Sequence, residues 1–128
     1  MPDRIQLKRK RGWRLPEGAV SVGRPTKWGN PFTAAGAIET GFARTREQGR
    51  EVAVEFYRRW ILFEDAADSD IYTTATRTGE YDRRWVRDHL AGLRGRTLAC
   101  WCPLPADGEP DICHARVLLD LANGSDRA

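Results

Sequence analysis

The chain has 128 residues, of which 41% are apolar and 30% charged, with a formal net charge of +3 at pH 7. That length suits one domain able to fold without obligatory staples, so a bound metal would be optional for stability, and the composition is globular. No apolar run approaches a membrane span or a signal-peptide core, which excludes a membrane role and predicts a cytoplasmic protein with its three cysteines as thiols, thiolates or metal-bound thiolates.

The charge is uneven. Residues 1 to 32 carry eight Lys or Arg against two acids, and residues 33 to 128 carry thirteen against sixteen. At the front, Arg4 to Lys8 alternates Ile5 and Leu7 with polar neighbours, the period of a half-buried strand. Lys8-Arg9-Lys10-Arg11 with Trp13 and Arg14 follows, a basic stretch suited to nucleic-acid phosphates, a phosphorylated small molecule, or the guarded edge of a strand. Ala19 to Val22 is a second short strand after the Pro16-Glu17-Gly18 turn, and the two strands are expected to pair.

Gly23 to Phe32, with two glycines, two prolines and Asn30, predicts an ordered loop. Thr45 to Glu64 predicts a helix with Val52, Phe56, Trp60 and Phe63 on its buried face and Arg58 and Arg59 turned away. Ile71 to Thr76 fits a short strand or a loop. Tyr81, Trp85, His89, Leu90 and Leu93 mark a second helix ended by Gly95, with His89 expected as a satisfied core histidine. Thr97 to Trp101 is a strand. Asp111 is the expected cap of a last helix that buries His114, Val117, Leu118 and Leu121 and closes at Asn123-Gly124. The order predicts one small α/β domain over residues 1–124, a short mostly parallel or mixed sheet covered by about three helices, with a disordered tail at 125–128.

All three cysteines and one of the two histidines fall in Cys100-Trp101-Cys102 and Cys113-His114. Strand alternation sends Cys100 and Cys102 to one face and Trp101 to the other, and Cys113 falls in a first helical turn, where the dipole favours a thiolate. Three readings stay open. The four residues can hold zinc as a Cys3His set, although Cys-x-Cys and adjacent Cys-His are harder to wrap around one ion than Cys-x-x-Cys. Cys102 or Cys113 can act as a catalytic nucleophile with His114 as base or orienting group. The cysteines can also simply fill the core.

Gly23, Arg24, Thr26, Lys27, Gly29 and Asn30 offer cationic donors, a hydroxyl, an amide and open backbone N–H groups, the materials of a phosphate site, without being a Walker loop or a dinucleotide fingerprint. Trp28 between glycines can stack on a base or cover the core; a plain structural turn is the alternative for the whole loop.

Three segments carry a resemblance: Arg4 to Lys10 with Gly12-Trp13, the run from Val22 to Phe32, and Leu98 to Cys102 with Cys113-His114-Ala115. They resemble domain of unknown function family 4326, a small domain met in actinobacteria and their phages, and cover both ends of the chain. The resemblance implies that the two clusters belong to one site and supplies no reaction. Against the family pattern, Leu104 to Ile112 reads as an inserted excursion and Arg116 stands at an acidic position.

The leading expectation is a small enzyme or ligand-binding domain for a nucleotide or other phosphorylated compound. Arg24, Thr26, Lys27 and Asn30 would hold the anion and Trp28 would stack. Cys102, Cys113 and His114 would face the reacting group in a hydrolase or transferase, for instance one cleaving an N-glycosidic bond. Glu47, Glu51 and Asp82 are the candidate carboxylates. The alternative is a zinc-stabilised nucleic-acid-binding module without catalysis, using Lys8 to Arg14 and Arg24 to Lys27 on phosphates; a third is a phage or host interaction protein with exposed tryptophans as its partner surface.

Overall fold

Leu98-Ala99-Cys100 is the most apolar strand in the chain, and it is buried along its whole length, as expected of a central parallel strand. The computed structural model describes residues 3–23, 26–62, 73–76 and 79–124. In chain order the elements are β1 (Arg4–Gln6), β2 (Val20–Ser21), α1 (Ala34–Glu39), α2 (Arg46–Leu62), β3 (Thr73–Thr76), β4 (Gly79–Asp82), α3 (Arg83–His89), a 3-10 turn (Leu90–Leu93), β5 (Leu98–Cys100) and α4 (His114–Ala122).

The first sheet is parallel in the order β1-β5-β2, with Gln6 opposite Cys100 and Ser21 opposite Ala99. The expected pairing of the first two strands is therefore corrected: each pairs with β5 instead. Two parallel neighbours cannot be joined by a tight turn, and the excursion between β1 and β2 leaves a strand-wide gap that β5 fills. Beyond the strands, Leu7 N–H donates to the Cys100 carbonyl and Val22 N–H to that of Ala99, both at 2.8 Å. The carboxyl ends of all three strands thus meet at one edge, where α/β folds place ligands.

Residues 71–76 are settled in part: Thr73–Thr76 pairs antiparallel with Gly79–Asp82 as a separate hairpin. Tyr81 therefore lies in β4, not in the second helix, which starts at Arg83 because the Asp82 carboxylate accepts from Arg84 and Trp85 N–H at 2.9 and 3.2 Å. His89 is exposed instead of buried, its ring stacked 4.3 Å from Trp85, because Val86 and Leu93 carry the inward side of this segment. Gly95, at φ +74°, ends the 3-10 turn in the left-handed region that glycine adopts freely.

The long helix forms as expected, but its inward side is Gly49, Ala53, Tyr57, Trp60 and Ile61. Val52 and Phe56 are only half-buried, Phe56 meeting Phe32 and Phe42 edge-on, and Phe63 and the 125–128 tail lie outside the described residues. The face is rotated because α1, which no periodicity announced, lies against α2. Thr33 caps α1 through Gly36 N–H at 2.9 Å. The core fills the space between the sheet and α2, α3 and α4, with Val22, Tyr57, Leu98, Val117 and Leu118 fully enclosed. Tyr57 fastens the 26–32 loop by donating its hydroxyl to the Trp28 carbonyl at 2.5 Å.

The approach of α1 to α2 depends on Gly49, where an added Cβ would sit 2.7 Å from the Ala34 carbonyl oxygen. Gly49→Ala should therefore cost about 1–3 kcal/mol despite the better helix propensity of alanine. Gly92, with nothing within 4 Å of a built Cβ and an ordinary backbone, provides the contrast. Gly92→Ala should leave stability unchanged or raise it by up to about 1 kcal/mol, both read from urea midpoints.

Candidate metal centre and adjoining cleft

β5 ends at Cys100, and the bend that follows turns Cys102 back to the same side, with the two sulfurs 3.8 Å apart. Trp101 between them is driven outward, 40% exposed, with its edge against Gly23. A Cβ at Gly23 would stand 2.8 Å from the indole, so this glycine is required for the close approach.

Across the gap, Cys113 and His114 open α4. Cys113, not Asp111, is the N-cap: its backbone is extended and its sulfur accepts from Ala115 N–H at 3.4 Å. The extended cap explains how adjacent residues serve one point. Cys113 reaches back over the first turn, while His114, the first helical residue, reaches across to β5. The imidazole Nε2 lies 2.6 Å from the Val22 carbonyl oxygen, which can only accept, so Nε2 carries the proton. Nδ1 lies 3.7 Å from the Cys100 sulfur, where it donates while the ring is charged and offers a lone pair once the ring is neutral. Tyr57 holds the ring edge-on at 5.3 Å between centroids.

The four ligand atoms of Cys100, Cys102, Cys113 and His114 all lie within 4.8 Å of one another and could hold a metal ion. Cys100, Cys113 and His114 are buried, and Cys102 is half-buried. Without a cation the cluster is electrostatically uneven. Hydrogen bonds from Cys102 and Cys113, then His114, pull the Cys100 thiol far below its usual range. The Cys113 thiol is pushed far up, first by its bond to Cys100 and then by Cys102 and burial. Burial works against charge on His114 but is outweighed by its contacts to Cys100 and Cys102 and to the Val22 carbonyl, which bring it up to about 9.

A cleft of about 300 Å³ reaches Cys100, Cys102 and His114, walled by Trp101, Ile112, Asn30 and Thr33 and edged by Arg46 and Arg50. Of the expected phosphate loop, Asn30 lines this cleft, but its side chain is engaged: the amide donates to the Ala53 carbonyl at 3.0 Å and the oxygen accepts from Phe32 N–H at 2.9 Å. Thr26 donates its hydroxyl to the Gly23 carbonyl, and Gly29 N–H to the Thr26 carbonyl. The Lys27 ammonium lies 5.2 Å over Trp85. Trp28, 9% exposed, is edge-on to Trp85 at 4.8 Å and covers the core. Neither Thr26, Lys27 nor Trp28 lines the cleft, and Arg24 lies outside the described residues. Asp82 is spent as a helix cap, Glu51 is exposed, and Glu47 lines a neighbouring recess.

Three residues had not been singled out from the sequence. Arg46 and Arg50, four apart at the start of α2, share a helix side, a spacing that could have disclosed them. Arg4, 4% exposed, reaches from β1 into the excursion after Cys102: it pairs both carboxylate oxygens of Asp111 and donates to the carbonyls of Cys102 at 2.6 Å and Pro103 at 3.0 Å. That pairing is what takes Asp111 away from the helix cap.

A parallel three-stranded sheet with covering helices and a Cys3His cluster at its carboxyl edge defines a small α/β domain with a candidate metal centre. The chain belongs to the family described as Domain of unknown function (DUF4326), whose model matches residues 5–124 and so includes the helical middle. No curated protein and no solved structure matches it. Among the described residues no helix is long and apolar enough to cross a membrane.

Arg4→Leu should destabilise the protein by about 3–5 kcal/mol, because it strands the Asp111 carboxylate. The double variant Arg4→Leu/Asp111→Leu should recover part of that loss, so a double-mutant cycle in urea will read a coupling well away from zero.

Proposed function

We propose that this chain is a zinc-stabilised nucleic-acid-binding module, with Cys100, Cys102, Cys113 and His114 as the ligands of a closed, structural Zn²⁺ site. The observation that carries the reading is the imidazole of His114, which commits its Nε2 N–H to the Val22 carbonyl and leaves Nδ1, turned toward three sulfurs, as the nitrogen that can bind a metal once it gives up its proton. Such an outer carbonyl is the usual support of a metal-bound histidine. Zinc bonds of about 2.3 Å to sulfur and about 2.0–2.1 Å to nitrogen imply tetrahedral edges of about 3.8 and 3.6 Å. The Cys100–Cys102 and Cys100–His114 separations are 3.8 and 3.7 Å. A divalent cation would offset the crowding that otherwise keeps Cys113 protonated.

The nucleic-acid part rests on what this centre would position. Trp101 lies between two of the ligands, and the Arg9 guanidinium stands 4.8 Å over its ring. Arg9 belongs to the exposed series Lys8, Arg9, Lys10, Arg11 and Arg14. A partly exposed aromatic beside a run of unburied cations suits single strands, with bases stacking and phosphates neutralised. A second reading, a nucleotide-directed hydrolase or transferase, is favoured by the one half-buried thiol, Cys102, lining the cleft. Against it, no carboxylate lines that cleft among the described residues, and Cys113 is fully buried.

Metal analysis decides between them. The module should carry about one zinc per chain and lose its fold on chelation, with Cys113→Ser and His114→Ala losing both metal and stability. A metal-free protein with one fast-reacting thiol would favour the enzyme. Because the three cysteines bind zinc as thiolates and His114 as neutral imidazole, while Cys113 is pushed up and His114 is brought up to about 9 in the metal-free form, loading should release protons. Zinc affinity should then rise by at least about a power of ten per pH unit across pH 6–8, as read by competition with a chromophoric chelator. If the five exposed cations each meet one phosphate, affinity for a single strand should fall about a hundredfold between about 50 and 200 mM salt in fluorescence anisotropy.

A further inference from the structure

We infer that the cleft between α2 and the Cys-Trp-Cys bend is a binding site for one phosphorylated nucleotide, with Arg46 and Arg50 on the phosphate and Trp101 against the base. The inference deepens the nucleic-acid reading and rests on it for the rigid bend; the site shares Trp101 with the Lys8–Arg14 segment, whose Arg9 stands over the indole, and adds Arg46 and Arg50 of its own. Arg46 and Arg50 stand one turn apart on α2, and among the described residues neither has a carboxylate within 4 Å. Two cations at that spacing repel each other, so the arrangement favours an anion between them. Arg50 is held in place by donating to the Ile112 carbonyl at 3.1 Å, a contact that orients the guanidinium without neutralising it.

The remaining wall fits the rest of a nucleotide. Trp101 offers an indole beside the opening, and the Thr33 hydroxyl, which accepts from Gly36 N–H, keeps its own proton to donate. At about 300 Å³ the cleft lies at the small end of ligand sites, enough for one nucleotide unit and too little for a folded polymer. Arg46, Arg50 and Ile112 also line a second recess of about 460 Å³, walled by Pro103, Pro105 and Pro110 with the carboxylates of Glu47 and Glu109, and an attached strand would leave past the arginines on this side. The same chemistry therefore has two sources, a free nucleoside monophosphate or the phosphorylated end of a strand. A closed Cys3His zinc site carries one net negative charge, so the two arginines have a competing role as its counterions. The experiment must separate that role from ligand binding.

The test titrates the full-length chain, with its zinc content measured, against a nucleoside monophosphate, the matching nucleoside and inorganic phosphate, following tryptophan fluorescence and heat. The monophosphate should bind with quenching of Trp101, and the nucleoside about tenfold or more weaker. Arg46→Gln and Arg50→Gln should each weaken the monophosphate about tenfold or more at unchanged zinc content, and Trp101→Leu should abolish the quenching. An oligonucleotide with a terminal phosphate that competes better than its hydroxyl-ended twin assigns the site to strand ends; equal weak competition assigns it to the free nucleotide. No binding of the monophosphate at millimolar concentration by the folded protein overturns the inference, as does unchanged binding in both arginine variants. Loss of zinc, rather than of ligand, in those variants makes them counterions and overturns it too. Nucleotide binding by a protein that takes up no zinc would sink the module reading while leaving this site standing.

Discussion

The structure depends on one convergence: the carboxyl ends of β2 and β5 and the first residues of α4 meet around the His114 imidazole. Its Nε2 reads the backbone of β2 through the Val22 carbonyl, and its Nδ1 faces the sulfur that ends β5. A parallel sheet of three strands, two or three residues each, has few ladder hydrogen bonds with which to hold its own edge. The side-chain cluster supplies the missing tie between sheet and helix. It does so at an electrostatic cost, since packing three thiols and an imidazole into a buried space drives Cys100 and Cys113 in opposite directions. Only a cation lets all four act as ligands together.

A second tie serves the opposite side of the same bend. Arg4 is buried with its charge maintained: burial opposes it, but the hydrogen bonds and charge of Asp111 prevail. By holding the Cys102 and Pro103 carbonyls as well, Arg4 fixes both feet of the 103–112 excursion to β1. The excursion can then be long and largely exposed without loosening the cysteines on either side of it. An inserted segment clamped at its base is tolerated, because loop-closure entropy grows slowly with length.

The sequence disclosed whatever is periodic or chemically distinctive. α2 and α4 were legible from their apolar spacing, β5 from its uninterrupted apolar run, and the four candidate ligand residues from their type alone. Partnership was not legible. Nothing local says that β5 enters between β1 and β2, that Asp111 answers Arg4 across the chain instead of capping α4, or that α1 forms from six residues that Thr33 starts. In the loop of glycines, Thr26, Lys27 and Trp28, several side chains expected to meet phosphate are engaged within the protein: Thr26 on Gly23, Asn30 on Ala53, Lys27 over Trp85. It also brings the Val22 carbonyl to His114 and a bare Gly23 to Trp101. The objection to Cys-x-Cys and Cys-His as ligand spacings also fell away in three dimensions. A bend after a strand and an extended helix cap each separate close neighbours widely enough to face one point.

Under the proposed function, the same local geometry would link stability to recognition. Trp101 is exposed because its two neighbours are drawn inward, so whatever fixes Cys100 and Cys102 also fixes the indole. Gly23 sets how closely the indole can lie against the loop, and Arg9 covers it from the basic segment. On the other side, Cys100, Cys102 and His114 line the cleft themselves, and Arg50 is steadied by Ile112, one residue before Cys113. A rigid aromatic surface loses little conformational entropy on binding, which is the advantage of building it on a clamped bend instead of a mobile loop. The cluster's position between the basic segment and the α2 arginines would thus make its integrity a condition for both proposed surfaces at once.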